Sequence, residues 1–442
     1  MTGMQAPKSD SSVYRAKCST IGYGQPERLL NESEITAIIT SGLEKLPLDG
    51  RKVLVIIPDH TRTMPLPMFF RLLTQQLSGR VAALDFLVAL GTHPPLSEEQ
   101  LQKLLGITPE QRASRYQHVR LLNHAWDDPH ALVTLGVISK AEMQNLSQGM
   151  LAVDVPVRLN RLILEYDHLL VCGPVFPHEV VGFSGGNKYF FPGIAGREII
   201  DFTHWLGALI TSYSMIGTQE TPVRSVIDRA AAFIDRPRHA LCSVVTTQGV
   251  HGLFIGAPEE AFAAAASLSA QVHIRWVDRP YPQVLSVLPE MYDEIWTGAK
   301  GMYKLEPVVA DGGELIIYAP HIHTFSVVHG EIIRQVGYHV RDYFVKQWER
   351  FAHYPWGVLA HSTHLRGVGS FEDGVERPRI QVSLATSIPE AECRAVNLGY
   401  RDPASIRPED FADREAQGIL FVPHAGEILY RLRDGSRAKG DR

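Results

Sequence analysis

The chain has 442 residues, 45% of them hydrophobic and 21% charged, a balance that suits a globular protein with a sizeable core and excludes a disordered or fibrous one. Its 43 Lys and Arg against 48 Asp and Glu leave a formal charge of −5, which argues against a general nucleic-acid binder or a protein of anionic membrane surfaces. No run reaches the roughly 18 apolar residues of a membrane span, MTGMQAPKSDSSVYR lacks the apolar core of a signal peptide, and Cys18, Cys172, Cys242 and Cys393 form no CxxC pair, so a cytoplasmic chain without disulfide framework or zinc ribbon is expected.

Residues 1–12 and 434–442 are polar and aperiodic and are expected to be disordered. The first helix is expected from Asn31, which can cap it while Glu34 reaches back, with Ile35, Ile38, Ile39 and Leu43 on one face. The apolar run 53–57 reads as a buried parallel strand, followed by a helix over 67–77 and a second apolar strand over 84–90. Ser97 with Gln100 forms a capping box before Leu101, Leu104 and Leu105. A third strand is expected at 169–172, helices at 194–211 and 221–234, and an Ala-rich helix at 258–270. From about 272 the pattern restarts, with strands expected at 272–277, 292–297, 314–319, 356–361 and 379–383 and helical stretches at 302–310 and 388–396. This alternation predicts an α/β protein, and the restart places a boundary near 275. The expected units are an N-terminal α/β domain over 13–275 and a C-terminal α/β domain over 276–415, with 416–432, through the late strand 419–422, rejoining the first.

Ligands of open α/β sheets bind beyond the carboxyl ends of the strands. Asp59 and Arg62 follow the run 53–57, His93 follows 84–90, His178 follows 169–172 and Lys300 follows 292–297. An Asp/Arg pair, two histidines and a lysine at four strand ends suit an anionic substrate and acid–base chemistry. Singly, each has a plainer role: Asp59 and Arg62 can cap a helix, and His93 can be a turn residue held by Pro94 and Pro95.

The segment from Pro177 to Gly193 contains a Ser184-Gly185-Gly186-Asn187-Lys188 turn whose backbone amides can approach an anion. It is not a Walker A loop, because Asn187 stands where the second glycine belongs and Tyr189 replaces the magnesium-binding Ser/Thr. Lys188, followed by Tyr189-Phe190-Phe191, is expected to be partly buried, which is costly unless it is paired or chemically modified. His204 has no second histidine four residues on, so any metal it binds takes its other ligands elsewhere.

Asp59-His60-Thr61-Arg62, Gly91-Thr92-His93, and His178 through Gly196 followed by His204 resemble the lactate racemase family, which uses a nickel-pincer nucleotide. The resemblance covers most of the chain to about Val422 and is most specific over 174–204. It implies two α/β domains with the active site in the cleft between them. It also implies the cofactor, pyridinium-3-thioamide-5-thiocarboxylic acid mononucleotide with nickel, attached to Lys188 beside Ser184, Gly185, Gly186 and Asn187, with His204 as nickel ligand. His93 and His178 match the acid/base pair, Arg62 the substrate-orienting arginine, Asp59 its supporting aspartate, Lys300 a lysine of the second domain and Trp348 a site tryptophan. The implied partners are a small 2-hydroxy acid and the cofactor maturation enzymes, with no nucleic acid or membrane. The implied reaction is racemisation or C2 epimerisation, in which one histidine takes the hydroxyl proton, the C2 hydride passes to the cofactor and returns to the opposite face, and the other histidine reprotonates the alkoxide.

The chain departs from the family where a glutamine is expected, carrying Thr297 beside Trp296, and in the histidine-rich stretch Ala319 to Glu331 with His321, His323 and His329. These residues are candidates for a substrate larger or more polar than lactate, such as an aldonate-like sugar acid. Other readings are a divalent-metal hydrolase built on His321 and His323, whose side chains point the same way on an extended segment, and a cofactor-binding relative without turnover.

Overall fold

The computed structural model describes residues 14–15 and 20–433; the two termini expected to be disordered, and Cys18, lie outside them. The capping box is present: Asn31 Oδ1 accepts from Glu34 N, Glu34 Oε2 accepts from Asn31 N, and the helix Glu32–Glu44 buries Ile35, Ile38, Ile39 and Leu43. The run 53–57 lies in the strand Lys52–Ile57 at the centre of an eight-stranded sheet. Its side chains alternate between two cores, Val53, Val55 and Ile57 on one face and Leu54 and Ile56 on the other, which is why the run is apolar throughout.

In spatial order the sheet runs Tyr14–Arg15, Ile21–Gly24, Gly249–Gly256, Arg238–Thr246, His168–Pro174, Lys52–Ile57, Ala83–Val88, Leu121–Asn123. The last five strands are mutually parallel. The chain leaves Lys52–Ile57 toward Ala83–Val88 and Leu121–Asn123, then crosses to the other side at His168–Pro174, so the strand order reverses between Lys52–Ile57 and His168–Pro174. A crevice opens at the carboxyl ends of strands whose connections diverge in this way.

A second sheet contains five parallel strands in the order Gly399–Tyr400, Gln381–Thr386, Val309–Ala319, Tyr281–Val287, Ile419–Val422. The strand Ile419–Val422 therefore belongs to the second sheet, not to the first. The return is made later, by Leu429–Leu432, which pairs with Ile274–Val277 while Arg431 donates to the Ile216 carbonyl. The two sheets share one continuous core, and Gly357 N, on the helix Trp356–Arg366, donates to Asp201 Oδ1 at 2.8 Å on the helix Arg197–Ile210.

Two expected strands are helical. The stretch 292–297 enters the short helix Ile295–Gly298, and the strand lies earlier, at Tyr281–Val287, where Pro282 and the polar Gln283 and Ser286 disguise it. The stretch 356–361 begins the helix Trp356–Arg366, which is buried from Gly357 to Arg366 and so shows no amphipathic period. The hairpin Arg238–Thr246 with Gly249–Gly256 was not expected at all. Cys172, Cys242 and Cys393 are buried free thiols, and no helix among the described residues is long and apolar enough to cross a membrane. Ile56→Ala, in the fully buried central strand, is expected to cost about 2–5 kcal/mol and to lower the urea midpoint without changing the slope of the transition.

Candidate active site

The loop after Lys52–Ile57 carries a buried Asp59 whose Oδ1 accepts from Thr61 N at 3.0 Å and Thr61 Oγ1 at 2.7 Å. Its Oδ2 lies 2.5 Å from His93 Nδ1, from the loop after Ala83–Val88. Burial would raise the Asp59 carboxyl, but His93, then Arg62 and Thr61, outweigh it and hold the group well below the usual carboxylate range. An ionised Asp59 fixes the proton of His93 on Nδ1 and leaves Nε2 bare. The His93 loop is tied to the segment 177–193 by Gly91 N donating to Gly193 O at 3.0 Å. Arg62 donates to Thr61 Oγ1 at 2.6 Å and lies 5.8 Å above the Phe176 ring.

After His168–Pro174 the chain forms a small hairpin, Pro177–His178 with Gly182–Phe183. Gly182 has φ +83°, and a Cβ there would meet Thr218 O at 1.9 Å, so only glycine makes this turn. Ser184 Oγ donates to Pro174 O at 3.0 Å and accepts from Phe176 N at 3.0 Å, fastening the loop to the strand end. The buried Arg224 grips the carbonyls of Gly185 and Phe183. Lys188 is thereby held over the crevice, and burial, then the nearby Arg62, push its amine down to about 7. His204, on Arg197–Ile210, donates from Nδ1 to Ile200 O at 2.7 Å, which leaves Nε2 unprotonated.

The second sheet supplies Trp296, Thr297, Lys300 and Tyr303 from the helical stretch after Tyr281–Val287, and His329 from the loop beyond Val309–Ala319. Lys300 is thus on a helix and not at the end of a strand at 292–297. Thr297 Oγ1 donates to Glu294 O at 3.1 Å, and Trp296 lies between His329 (4.5 Å) and His361 (4.2 Å). Trp296, Thr297, Lys300, Tyr303 and His329 border one cavity of about 310 Å³, together with Asp59, Arg62, His93, His178, Ser184, Gly185, Lys188 and His204. Arg62, Lys188 and Lys300 crowd around Glu179; burial, then Arg62, forces the Lys300 ammonium well below its ordinary range, and an anion would relieve that crowding.

A model of the lactate racemase N-terminal domain matches residues 25–217. Residues 25–217 are thus a lactate racemase N-terminal domain. The chain is 24% identical over 287 residues to lactate racemase of Thermoanaerobacterium thermosaccharolyticum (63% of this chain, 62% of that protein) and 27% identical over 198 residues to lactate racemase of Lactiplantibacillus plantarum (44% and 41%). It therefore spans less than two thirds of the length of these curated relatives. Its fold is similar to the crystal structure of a Thermotoga maritima protein (TM-score 0.84, 36% identity, 91% of this chain and 98% of that one) and to the lactate racemase apoprotein of T. thermosaccharolyticum (TM-score 0.67, 18% identity, 91% and 93%).

Some residues singled out by the family resemblance lie off the cavity. Trp348 stacks on Trp205 at 5.1 Å, behind the helix of His204. Asn187 turns away, donating to Asp228 at 2.9 Å and Glu259 at 2.7 Å, and Gly186 packs against Phe262, so both anchor the turn. His321 Nε2 meets Tyr292 O at 3.0 Å, His323 is exposed, and neither borders the cavity; among the described residues no cluster of three His, Cys, Asp or Glu could hold a metal. Sequence reasoning missed Glu179, next to His178, and Tyr303, one turn beyond Lys300. The helical spacing would have signalled Tyr303 had 292–297 not been read as a strand.

The Lys188 amine has a sign that can be checked. Its folded pKa of about 7 lies below the roughly 10.4 of an unfolded lysine, so between those values the unfolded chain binds a proton that the folded chain lacks and stability rises with pH. Lys188→Met is expected to be the more stable chain at pH 6, with the gap narrowing from pH 7 to 10 in urea titrations.

Proposed function

We propose that the protein is a 2-hydroxy acid racemase or C2 epimerase, an isomerase that works with a nickel-pincer nucleotide on Lys188. The observation that carries this reading is the pair His93 and His178, each with Nδ1 near a carboxylate (2.5 Å to Asp59, 3.2 Å to Glu179), bordering one cavity with Arg62, Lys188 and Lys300. Inverting a carbinol centre needs a proton acceptor for the hydroxyl in either stereoisomer, and two histidines on separate loops can serve the two orientations. Arg62 suits the substrate carboxylate by a bidentate contact, and Lys300 adds a second positive charge that an anionic substrate restores.

The residues present fit the cofactor. An amine with a pKa of about 7 is substantially neutral at physiological pH and available for acylation, whereas an ordinary lysine is not. His204 offers a bare Nε2 as a single protein donor to nickel, and the lack of a three-residue cluster among the described residues suits a metal whose other donors come from the nucleotide. When bound, the cofactor supplies the acceptor from which the C2 hydride returns. The protein's part is to bind the carboxylate with Arg62 and Lys300, move the hydroxyl proton through His93 and His178, and enclose the site between the two sheets. Trp296, Thr297 and His329 border the same cavity and suit a substrate longer and more polar than lactate.

Co-expression with the cofactor maturation enzymes is expected to add a nucleotide-sized mass and about one nickel per chain, both lost in Lys188→Ala, and to yield an enzyme that scrambles C2 of polyhydroxylated 2-hydroxy acids faster than of lactate. An unmodified mass in the parent chain would overturn the covalent assignment. His93→Ala is expected to keep the adduct and lose about 10²–10⁴-fold in kcat.

A further inference from the structure

Buried polar side chains of a folded protein are normally paired, so an unpaired one at the edge of a cavity tells what the cavity receives. Among the described residues, enclosed side-chain polar atoms without a hydrogen-bond partner occur at only one residue that borders the cavity, His329. The residue is 8% exposed, its Nε2 is enclosed, and neither ring nitrogen has a hydrogen-bond partner among the described residues. The ring is placed without them. Its backbone N–H donates to Ser326 Oγ at 3.1 Å, and Val327 N donates to Glu294 Oε2 at 2.6 Å, just ahead of the helix of Trp296. The ring packs 4.5 Å from Trp296 and lies 6.2 Å from Trp126, which comes from the first half of the chain, and both tryptophans border the cavity. His361, 4.2 Å from Trp296, differs: it has the Tyr338 hydroxyl at 3.4 Å and lies off the cavity.

We propose that His329 is the specificity-determining residue of this cavity: it pairs with a hydroxyl that the substrate carries beyond C2, while the indoles of Trp126 and Trp296 cover the carbon chain that bears it. The substrate class is then a polyhydroxylated acid of the aldonate type, and for its first two carbons the inference rests on the 2-hydroxy acid reading. A hydroxyl both donates and accepts, so it fits either tautomer of a neutral imidazole. The ring is neutral, because burial, then Arg197 and His93, push it down to about 4. A second carboxylate is poorly matched: the neutral ring offers no charge, and Arg197, whose charge acts most strongly on it, already pairs with Asp201 at 3.2 Å. An alkyl or aromatic side chain would suit Trp126, Trp296, Val328 and Ile332, but it would leave His329 buried and unpaired. Thr297 cannot replace it as a donor, since its hydroxyl is spent on Glu294 O at 3.1 Å.

The test uses gluconate, lactate, malate and phenyllactate as probes. In the full chain labelled with ¹⁵N-histidine, with and without cofactor and with His329→Gln to assign the signals, gluconate is expected to shift the His329 ring resonances and lactate to leave them in place. In the cofactor-loaded enzyme, His329→Leu is expected to lower the ratio of kcat/KM for gluconate over lactate by about 10-fold, and His329→Gln, which keeps a donor and an acceptor, to recover part of it. His329 resonances that ignore gluconate overturn the proposal even if His329→Leu does not fold. So does an equal loss on both acids in His329→Leu, the mark of a merely structural role, and so does a parent enzyme that prefers malate or phenyllactate to gluconate. A loaded parent enzyme that turns over no 2-hydroxy acid would count against the function, while the response of His329 to gluconate would still decide the subsite.

Discussion

The constraint on which the rest depends is that Lys52–Ile57 and His168–Pro174 are neighbouring parallel strands with apolar side chains on both faces. Such strands leave polar chemistry only at their ends, and here the connections beyond the carboxyl ends diverge. Asp59 and Arg62 on one loop and His178 through Lys188 on the other therefore face a common crevice, and the hydrogen bond from Gly91 to Gly193 draws in the loop of His93.

The charges gathered there are poorly balanced by protein groups alone. Asp59 is committed to His93 and Thr61, Arg197 pairs with Asp201 at 3.2 Å, and Glu179 is left among Arg62, Lys188 and Lys300. Both lysines relax by losing affinity for their protons, Lys188 to about 7. A buried lysine so disposed is close to a free amine, and a site so disposed favours an anion; the covalent and the electrostatic features of the proposed chemistry share one cause.

The second sheet completes the cavity through short helices and loops rather than strand ends. Lys300 and Tyr303 are one helical turn apart, and Trp296 is wedged between histidines from two further segments. The packing of Gly357 on Asp201 and the return of Leu429–Leu432 onto Ile274–Val277 hold this half against the first.

What was legible in the sequence was local. Capping boxes at Asn31 and Ser97, apolar runs at the centre of the first sheet, and the glycine-punctuated stretch around Lys188 each have their cause within a few residues, and the family motifs lie in those same stretches. Where burial is uniform, as in Trp356–Arg366, or polar residues interrupt a strand, as in Tyr281–Val287, periodicity carries no signal and the sequence misleads. Only the tertiary structure separated the residues that border the cavity from those that brace it: Lys188 from Asn187 on the same turn, His329 from His321 and His323 on the same loop, and Trp296 from Trp348. It also brought Glu179 and Tyr303, 124 positions apart, to the border of one cavity. The physical reason is that hydrogen-bond partners and burial come from chain folded in from elsewhere, and neither is written in the order of neighbouring residues.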